Sequence, residues 1–178
     1  SFDLLADAVV GKTTKQQMQV MLESVEGVVS RDLKPLFHGT MPSEVTDEPG
    51  TYTETMSLVK DTNVVRIMLQ QMSDGVVADK FRYEITADNG LLDWDNAVVA
   101  GNELLYQPWS VITGTAEVDP NYCTNSTRAD GVSVAVAEFT VNRMIDGESP
   151  ILTIWNIEEN ERVLSIPIAD YALLVKGY

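Results

Sequence analysis

The chain has 178 residues, of which 44% are hydrophobic and 22% are charged, a composition typical of a folded globular protein. Twelve basic residues stand against 27 acidic ones, which gives a net charge of −15. No basic residue lies between Arg82 and Arg128, and the acidic residues are spread over both halves of the chain. A protein that binds nucleic acid or anionic lipid head groups needs a cationic face. The charge therefore argues against both kinds of partner.

Cys123 is the single cysteine, so the chain can form neither an intrachain disulfide nor a CxxC metal site. No apolar run approaches the ~18 residues that a membrane helix requires. The first residues lack the basic and apolar regions of a signal peptide, although a trimmed exported chain would begin in the same way. These features leave the cellular compartment open.

From Gly50 onward the pattern predicts short strands. We expect strands over 51–58, 63–70 and 81–86, because β-branched, aromatic and alternating apolar residues recur there. In the second of these strands apolar residues occupy both faces, which predicts burial on both sides for part of its length. In the third, Phe81, Tyr83 and Ile85 should face inward. Asn89-Gly90 is typical of a tight hairpin turn that returns through 91–94.

The second half of the chain continues in the same way. We expect a strand over 104–109, placed at a sheet edge because Pro108 cannot donate a ladder hydrogen bond. Further strands are predicted over 111–118 and 132–141, and a hairpin over 151–157 and 162–168. Short strands separated by turns predict an all-β sandwich rather than βαβ units.

Residues 1–40 allow two interpretations. Met18, Met21, Leu22 and Val25 have the spacing of an amphipathic helix, whereas Met18, Val20 and Leu22 alternate as in a strand. Periodicity slightly favours the helix. The proline- and glycine-containing stretch over 39–50 predicts a domain boundary.

Few residues carry a chemical signal. His38 is the only histidine and could pair with Cys123 as a nucleophile dyad, but no local motif supports this pair. Asp88, Asn89, Asp93 and Asp95 form a calcium candidate, although the spacing of a calcium-binding loop is not met. Their alternative role is to stabilise turns. Because no catalytic constellation or cofactor motif is present, we expect no enzyme activity, no cofactor and no metal.

The aromatic residues allow a different kind of site. Trp94, Trp109 and Trp155, together with six tyrosines, could line a carbohydrate platform. The alternative places Trp155 in the core and the other two indoles, partly buried, at sheet ends. A surface module that binds glycans or acts as an adhesin is therefore the alternative to a structural subunit.

Six segments, in this order and spacing, carry a resemblance to a known family. They are FHG (37–39), LVKDTNVVR (58–66), FRYEITADNG (81–90), LDWDN (92–96), YQPW (106–109) and SIPIADYALLVKG (165–177). The chain resembles the FimB-type fimbrillin-associated anchor family, exported proteins of type V pili. The resemblance covers residues 33–178 well and residues 1–32 loosely.

The resemblance implies transthyretin-like β-sandwich domains of the Greek-key type. Residues 1–39 would be the C-terminal part of a first domain, with a strand over 14–22. Residues 40–178 would form a second domain that lacks its last strands. It further implies a non-enzymatic anchor or accessory subunit of fimbriae that assembles with other fimbrial subunits by strand exchange. The location would be the cell surface at the outer membrane, held by an upstream lipid anchor that this chain does not contain.

Overall fold

The computed structural model of the protein describes residues 2–4, 9–39, 50–51, 53–71, 78–116, 132–145 and 150–174. The strands of the first half are β1 (Phe2–Leu4), β2 (Val20–Leu22), β3 (Val28–Val29), β4 (Phe37–Gly39), β5 (Leu58–Lys60), β6 (Asn63–Gln71) and β7 (Phe81–Asp88). Those of the second half are β8 (Leu91–Leu92), β9 (Glu103–Tyr106), β10 (Ser110–Ala116), β11 (Val132–Val141), β12 (Ile151–Asn156) and β13 (Glu161–Pro167). Helix α1 (Ile168–Leu174) follows, and 3-10 turns occupy Lys15–Gln17 and Ala78–Lys80. The chain is therefore nearly all β, as predicted.

Two of the sheets enclose the core. The larger has the strand order β13-β12-β7-β9-β3, and the other has the order β10-β11-β6. Neighbouring strands are antiparallel except for β3 and β9, which run parallel. A second three-stranded sheet has the order β1-β2-β8, and β4 pairs with β5.

The core forms where one face of each enclosing sheet meets the other. Because side chains alternate along a strand, every second residue of β7, β9, β11 and β12 points inward. The buried residues of these strands include Tyr83, Ile85, Leu104, Tyr106, Ala137, Phe139, Val141, Leu152 and Ile154. This arrangement agrees with a two-layer β architecture, and the finer transthyretin-like Greek-key topology stays a prediction.

The described part of residues 1–39 joins the same core. Strand β2 pairs with β8, and β3 pairs with β9. Leu22, Val29 and Leu33 are buried in the cluster that contains Tyr83 and Ile85. The described residues on either side of position 39 thus share sheets and core, and the assignment of 1–39 and 40–178 to two domains stays a prediction.

The helix favoured by periodicity over 18–25 is wrong. Lys15–Gln17 form a single 3-10 turn, and Val20–Leu22 form β2. Leu22 is buried while Met21 is exposed. The burial therefore follows the two-residue alternation of a strand and not the spacing of a helix. The strand that the family resemblance implied over 14–22 is confirmed for its last three residues.

The predicted Asn89-Gly90 hairpin is also wrong. Strand β8 leaves β7 and pairs with β2 instead. Gly90 is not among the described glycines with positive φ, which are Gly11, Gly27 and Gly101. A Cβ at Gly90 would lie 2.7 Å from the backbone oxygen of Asn102. The glycine therefore permits a close backbone approach rather than a left-handed turn.

The remaining strand predictions fare differently. The strands over 63–70, 81–86 and 132–141 and the hairpin of β12 and β13 are confirmed. Within 51–58, only the last of the described residues is in a strand. The outward face of β6 is exposed at Val64 and Met68, so burial on both sides is wrong. Strand β9 ends before Pro108 and lies between β7 and β3, so it is not an edge.

Candidate functional site

The four residues of the calcium candidate occupy two short segments, Asp88-Asn89 at the end of β7 and Asp93 to Asp95 after β8. Asp88 ends β7, and its carboxylate accepts hydrogen bonds from the backbone nitrogens of Gly101 (2.7 Å) and Asn102 (2.6 Å). The carboxylate thus stabilises the turn that leads into β9.

Asp93 has a similar role after β8. Its Oδ1 accepts hydrogen bonds from the backbone nitrogens of Asp95 (2.9 Å) and Ala97 (2.8 Å), and Asp95 itself is exposed. In the part of the chain that the structure describes, no three His, Cys, Asp or Glu residues are grouped so as to hold a metal ion. The carboxylates of Asp88 and Asp93 therefore serve as turn acceptors, which was the alternative role predicted for them.

Asn89, the fourth of these residues, is buried and connects three strands. Its Oδ1 accepts a hydrogen bond from the Tyr106 hydroxyl (2.7 Å), and its Nδ2 donates to the backbone oxygen of Arg143 (3.0 Å). Its backbone oxygen accepts from Asn142 Nδ2 (2.8 Å). Burial raises the pKa of Tyr106, so this hydroxyl stays protonated and donates.

A buried carboxylate extends this network. Asp61 Oδ1 accepts a hydrogen bond from Asn96 Nδ2 (2.7 Å) and lies 3.4 Å from the Arg143 guanidinium. We call the set Asp61, Asn89, Asn96, Tyr106, Asn142 and Arg143 the polar end of the core. Its hydrogen bonds fix several loops at once, which gives it a structural role, while Asp61 Oδ2 and Asn142 Oδ1 have no hydrogen-bond partner among the described residues.

The other candidates from the sequence do not converge. His38 lies on β4 opposite Val59, and Cys123 is outside the described residues. Trp155 is not in the core, because its Nε1 donates to Glu84 Oε2 (3.0 Å) and its ring faces the Arg82 guanidinium at 5.3 Å. This correction follows from a register in which Leu152 and Ile154 face inward.

The tryptophan side chains lie on different elements and do not form a single platform. Lys15 Nζ lies 4.2 Å from the centre of the Trp94 ring, and Trp109 is 37% exposed just before β10. Trp94 and Trp109 therefore lie beside strand ends, as predicted, on different parts of the fold.

Strand β10 is a free sheet edge among the described residues, where it pairs only with β11. Its sequence SVITGTA contains neither charge nor proline. Val111 is 40% exposed and Ile112 is 59% exposed. Natural edge strands usually carry charges, prolines or bulges that prevent pairing with another chain. Strand β10 has none of these features among its described residues.

One edge of the five-stranded sheet, strand β13, is protected in a way that β10 is not. Strand β13 contains Glu161, Arg162 and Pro167, and its pairing with β12 shifts register at Ile154/Trp155. Both the charges and the proline oppose the addition of a further strand. The two edges thus differ in their capacity to pair.

A groove of about 350 Å³ opens beside the start of β10. Its apolar lining comes from Phe81 and Tyr83 of β7, from Pro108 and Val111, and from Ile157 in the β12–β13 turn. The groove lies at the end of β7 opposite to the polar end. Apolar surface that would be covered at a closed end of the core is therefore accessible here.

Three polar side chains surround the groove. Arg82 is engaged, since its Nε lies 2.9 Å from Glu84 Oε1 and its guanidinium faces Trp155. Asp79 and Gln107 also line the groove, and neither side chain makes a hydrogen bond within the described residues. Two polar groups are thus available to a ligand.

Hydrogen bonds hold the walls of the groove in place. The Ile157 nitrogen donates to the Lys80 oxygen (2.9 Å), and Lys80 Nζ lies 3.3 Å from the Glu158 carboxylate. The Trp109 nitrogen donates to the Glu138 oxygen (3.0 Å) on β11. The groove is therefore largely formed in the absence of any ligand.

The sequence did not predict the groove. Its residues come from the 3-10 turn before β7, from β7 itself, from the β9–β10 connection and from a hairpin turn, so no local motif unites them. The alternation that put Phe81 and Tyr83 on one face was visible, but the open end above them depends on the packing of two sheets.

Comparison with known proteins assigns the chain to a family. The fimbrillin-A associated anchor proteins Mfa1 and Mfa2 match residues 2–178. The chain belongs to this family. The resemblance found from the sequence is thereby confirmed.

Solved structures show the same fold. A candidate adhesin from Bacteroides thetaiotaomicron is 29% identical with a TM-score of 0.79, and the match covers 99% of this chain and 57% of that one. A candidate polysaccharide-binding protein from the same species is 22% identical with a TM-score of 0.77 over 96% and 55%. The fimbrial anchor protein Mfa2 from Porphyromonas gingivalis is 17% identical with a TM-score of 0.69 over 99% and 58%.

The chain spans a little over half the length of these solved relatives. No curated protein shows significant similarity. The family and its structural neighbours are fimbrial or adhesin-like surface proteins, not known enzymes. Among the described residues, no helix has the length and apolar character needed to cross a membrane.

Proposed function

We propose that this chain is a non-enzymatic subunit of cell-surface fimbriae, an anchor or an accessory subunit, that accepts a β-strand from another fimbrial subunit at β10. The observation that carries the proposal is the edge of β10, which is free among the described residues, seven residues long, uncharged and flanked by exposed apolar side chains. Membership of the anchor family supports the class of partner. The proposal includes transthyretin-like sandwich domains, and an outer-membrane location through a lipid anchor upstream of these residues.

Strand addition at β10 would satisfy backbone groups and cover side chains together. An incoming strand would hydrogen-bond to the outward backbone groups of Ser110–Ala116. On one face its side chains would lie beside Val111, and on the other beside Ile112, both of which are partly exposed. Alternate side chains of the added strand would therefore provide specificity while the backbone provides affinity.

A charged residue on the edge tests this role. Thr113 is exposed and lies on the same face of β10 as Val111. In the variant Thr113→Lys, strand addition would bury the ammonium group without a partner. We expect binding of a synthetic peptide from the terminal strand of a fimbrial subunit of the same organism to weaken at least about tenfold, as measured by fluorescence anisotropy.

Ser165→Lys is the matched control, because Ser165 is an exposed hydroxyl residue on the opposite edge strand β13. This variant should bind the peptide as the unmodified chain does. Loss of peptide binding in Ser165→Lys alone would mean that β13, and not β10, accepts the peptide. A chain that stays monomeric at all concentrations and binds no strand peptide would contradict strand acceptance.

A further inference from the structure

Asn89-Gly90 is the only asparagine–glycine dipeptide in the sequence. In an unfolded chain this is the most reactive kind of asparagine sequence, because glycine has no side chain that keeps its backbone nitrogen away from the asparagine amide. The folded chain holds both residues in a buried bend rather than in the exposed hairpin turn that the dipeptide favours. The fold therefore hides a dipeptide that is chemically labile in the free chain.

The reaction of this dipeptide is deamidation, and it needs only water and a solvent base. The base removes the proton of the Gly90 nitrogen, which forms a bond to Cγ of Asn89. The side-chain nitrogen of Asn89 takes up a proton and leaves as ammonia, so that a five-membered succinimide remains. One water molecule then opens either carbonyl of this ring, which gives aspartate or isoaspartate. The net change is the gain of water and the loss of ammonia, without oxidation or reduction.

The attacking nitrogen is engaged in the folded chain. The Gly90 nitrogen donates a hydrogen bond to the Asn102 oxygen (3.0 Å), and the Gly90 oxygen accepts one from the Leu22 nitrogen (2.8 Å). A Cβ at Gly90 would lie 2.7 Å from the Asn102 oxygen and 3.2 Å from the Leu104 side chain. The surroundings of this peptide group are thus filled, and it cannot rotate towards the Asn89 side chain without breaking contacts on both sides.

The amide that would be attacked is also fixed. Asn89 is 3% exposed, its Oδ1 accepts from the Tyr106 hydroxyl (2.7 Å), and its Nδ2 donates to the Arg143 oxygen (3.0 Å). Rotation of the amide towards the Gly90 nitrogen would break both hydrogen bonds in a buried site, which is unfavourable. Both reacting groups are therefore held apart from each other and from the solvent.

We propose that Asn89-Gly90 is a deamidation site that the fold protects and that unfolding exposes, so that deamidation makes prolonged unfolding of this chain irreversible. Aspartate at position 89 would bring a carboxylate oxygen to the Arg143 oxygen in place of a donor, and burial of that charge opposes folding. Isoaspartate would add a main-chain carbon just before β8 and shift the pairing of Leu91 and Leu92 with β2. The site goes beyond the proposed function, because it belongs to the polar end of the core and does not involve β10.

Incubation of the full chain in mildly alkaline buffer, with and without guanidinium chloride, tests the protection. Mass spectrometry with fragmentation measures conversion at Asn89 as a gain of one mass unit, and isoaspartyl methyltransferase detects the isoaspartate product. We expect the folded chain to convert at least about a hundredfold more slowly than the unfolded chain, because the unfolded fraction of a native protein is very small. Equal rates in the two conditions would overturn the proposal.

Intermediate concentrations of guanidinium chloride distinguish unfolding from local motion. The rate of conversion at Asn89 should rise in proportion to the unfolded fraction, which tryptophan fluorescence measures in the same samples. A rate that does not respond to the denaturant below the unfolding transition would mean that local opening exposes the dipeptide. That result would contradict protection by the folded core.

Refolding tests the irreversibility. After increasing times in alkaline guanidinium chloride, the fraction of chains that regains β structure on dilution should fall in step with the conversion at Asn89. Chains kept unfolded in mildly acidic guanidinium chloride are the control, because the Gly90 nitrogen keeps its proton there, and they should refold fully. Full recovery of deamidated chains, or an equal loss in the acidic control, would reject the proposal.

A second asparagine–glycine dipeptide provides the matched comparison within one molecule. Asn160 is exposed in the turn between β12 and β13 and is followed by the exposed residue Glu161. In the folded Glu161→Gly variant, Asn160 should deamidate while Asn89 stays intact in the same sample. Equal conversion of Asn160 and Asn89 in the folded variant would show that burial does not set the rate at Asn89.

Discussion

One end of the core is closed by polar side chains, whereas the other end stays open around a groove. At the end of β7 near Asp88, buried polar side chains form a connected hydrogen-bond network around Asn89 and Tyr106. At the end near Phe81, apolar side chains such as Val111 and Ile157 stay exposed around a groove. The polar end thus stabilises the fold, whereas the groove end leaves apolar surface exposed for an interaction.

The physical reason for the difference is the penalty for an unpaired polar group. A buried amide or hydroxyl is destabilising unless it finds a partner, so the polar end tolerates few alternative arrangements. Exposed apolar side chains impose no such requirement, so substituting them changes the free energy of unfolding little. Substitutions at the polar end should therefore affect folding strongly, and substitutions around the groove should affect binding instead.

Asn89→Ala should produce the largest loss. The substitution leaves the Tyr106 hydroxyl and the Arg143 carbonyl without their partners in a buried site. At about 1–3 kcal/mol for each unsatisfied group, we expect the free energy of unfolding to fall by about 3 kcal/mol. Urea denaturation followed by fluorescence measures this loss. Ile157→Ala at the groove should lose less than about 1 kcal/mol, and equal losses in the two variants would contradict the comparison.

Gly90→Ala should come next, with a loss of about 2 kcal/mol. The new Cβ would lie 2.7 Å from the backbone oxygen of Asn102, to which the Gly90 nitrogen also donates a hydrogen bond (3.0 Å). Gly114→Ala on β10 is the control, because a Cβ there meets nothing within 4 Å. A melting temperature unchanged in Gly90→Ala would show that the two backbone segments can separate without penalty.

The sequence predicted the strands of the core better than their connections. Alternation alone placed Phe81, Tyr83 and Ile85 correctly, because period-two burial is a local property of one strand. The hairpin turn predicted at Asn89-Gly90 was wrong. A dipeptide suited to a hairpin turn also suits a buried bend when a distant group such as Asn142 forms a hydrogen bond with it. The partner strand of Leu91–Leu92 is β2, seventy residues away, and no local pattern encodes that pairing.

Burial of aromatic side chains was predictable only in part. Trp155 alternates with Leu152 and Ile154 in a run of apolar residues. The sequence does not show which of the two alternating sets of side chains faces the core. Its indole lies on the outer face, between Glu84 and Arg82, because those charged residues occupy the outward positions of the neighbouring β7. The resemblance to the anchor family supplied what the local pattern did not, namely the strand at Val20–Leu22.

Alkaline pH should weaken the core through its buried tyrosines. Burial raises the pKa of both Tyr83 and Tyr106 above the ordinary value of about 10. The unfolded chain therefore releases these protons first, so their contribution is fully present below about pH 10 and is lost as the pH rises above it. Urea midpoints from about pH 8 to pH 11 measure the decline.

Tyr106→Phe should reduce this alkaline decline, whereas Tyr171→Phe should leave it unchanged because Tyr171 is exposed on α1. An identical decline in both variants would assign the effect to groups other than the buried hydroxyls.

The two buried tyrosines themselves offer the finest comparison between the ends of the core. The Tyr106 hydroxyl donates to Asn89 Oδ1, so Tyr106→Phe leaves a buried acceptor unpaired and should lower the free energy of unfolding by about 1 kcal/mol. The Tyr83 hydroxyl has no partner among the described residues, so Tyr83→Phe removes a buried polar group without orphaning another. This second variant should be neutral or slightly stabilising.

Thermal unfolding of the two phenylalanine variants, measured side by side, provides the test, because each removes the same single oxygen from a tyrosine that is almost completely buried. Equal destabilisation would mean that the Tyr83 hydroxyl already has a partner in the folded chain.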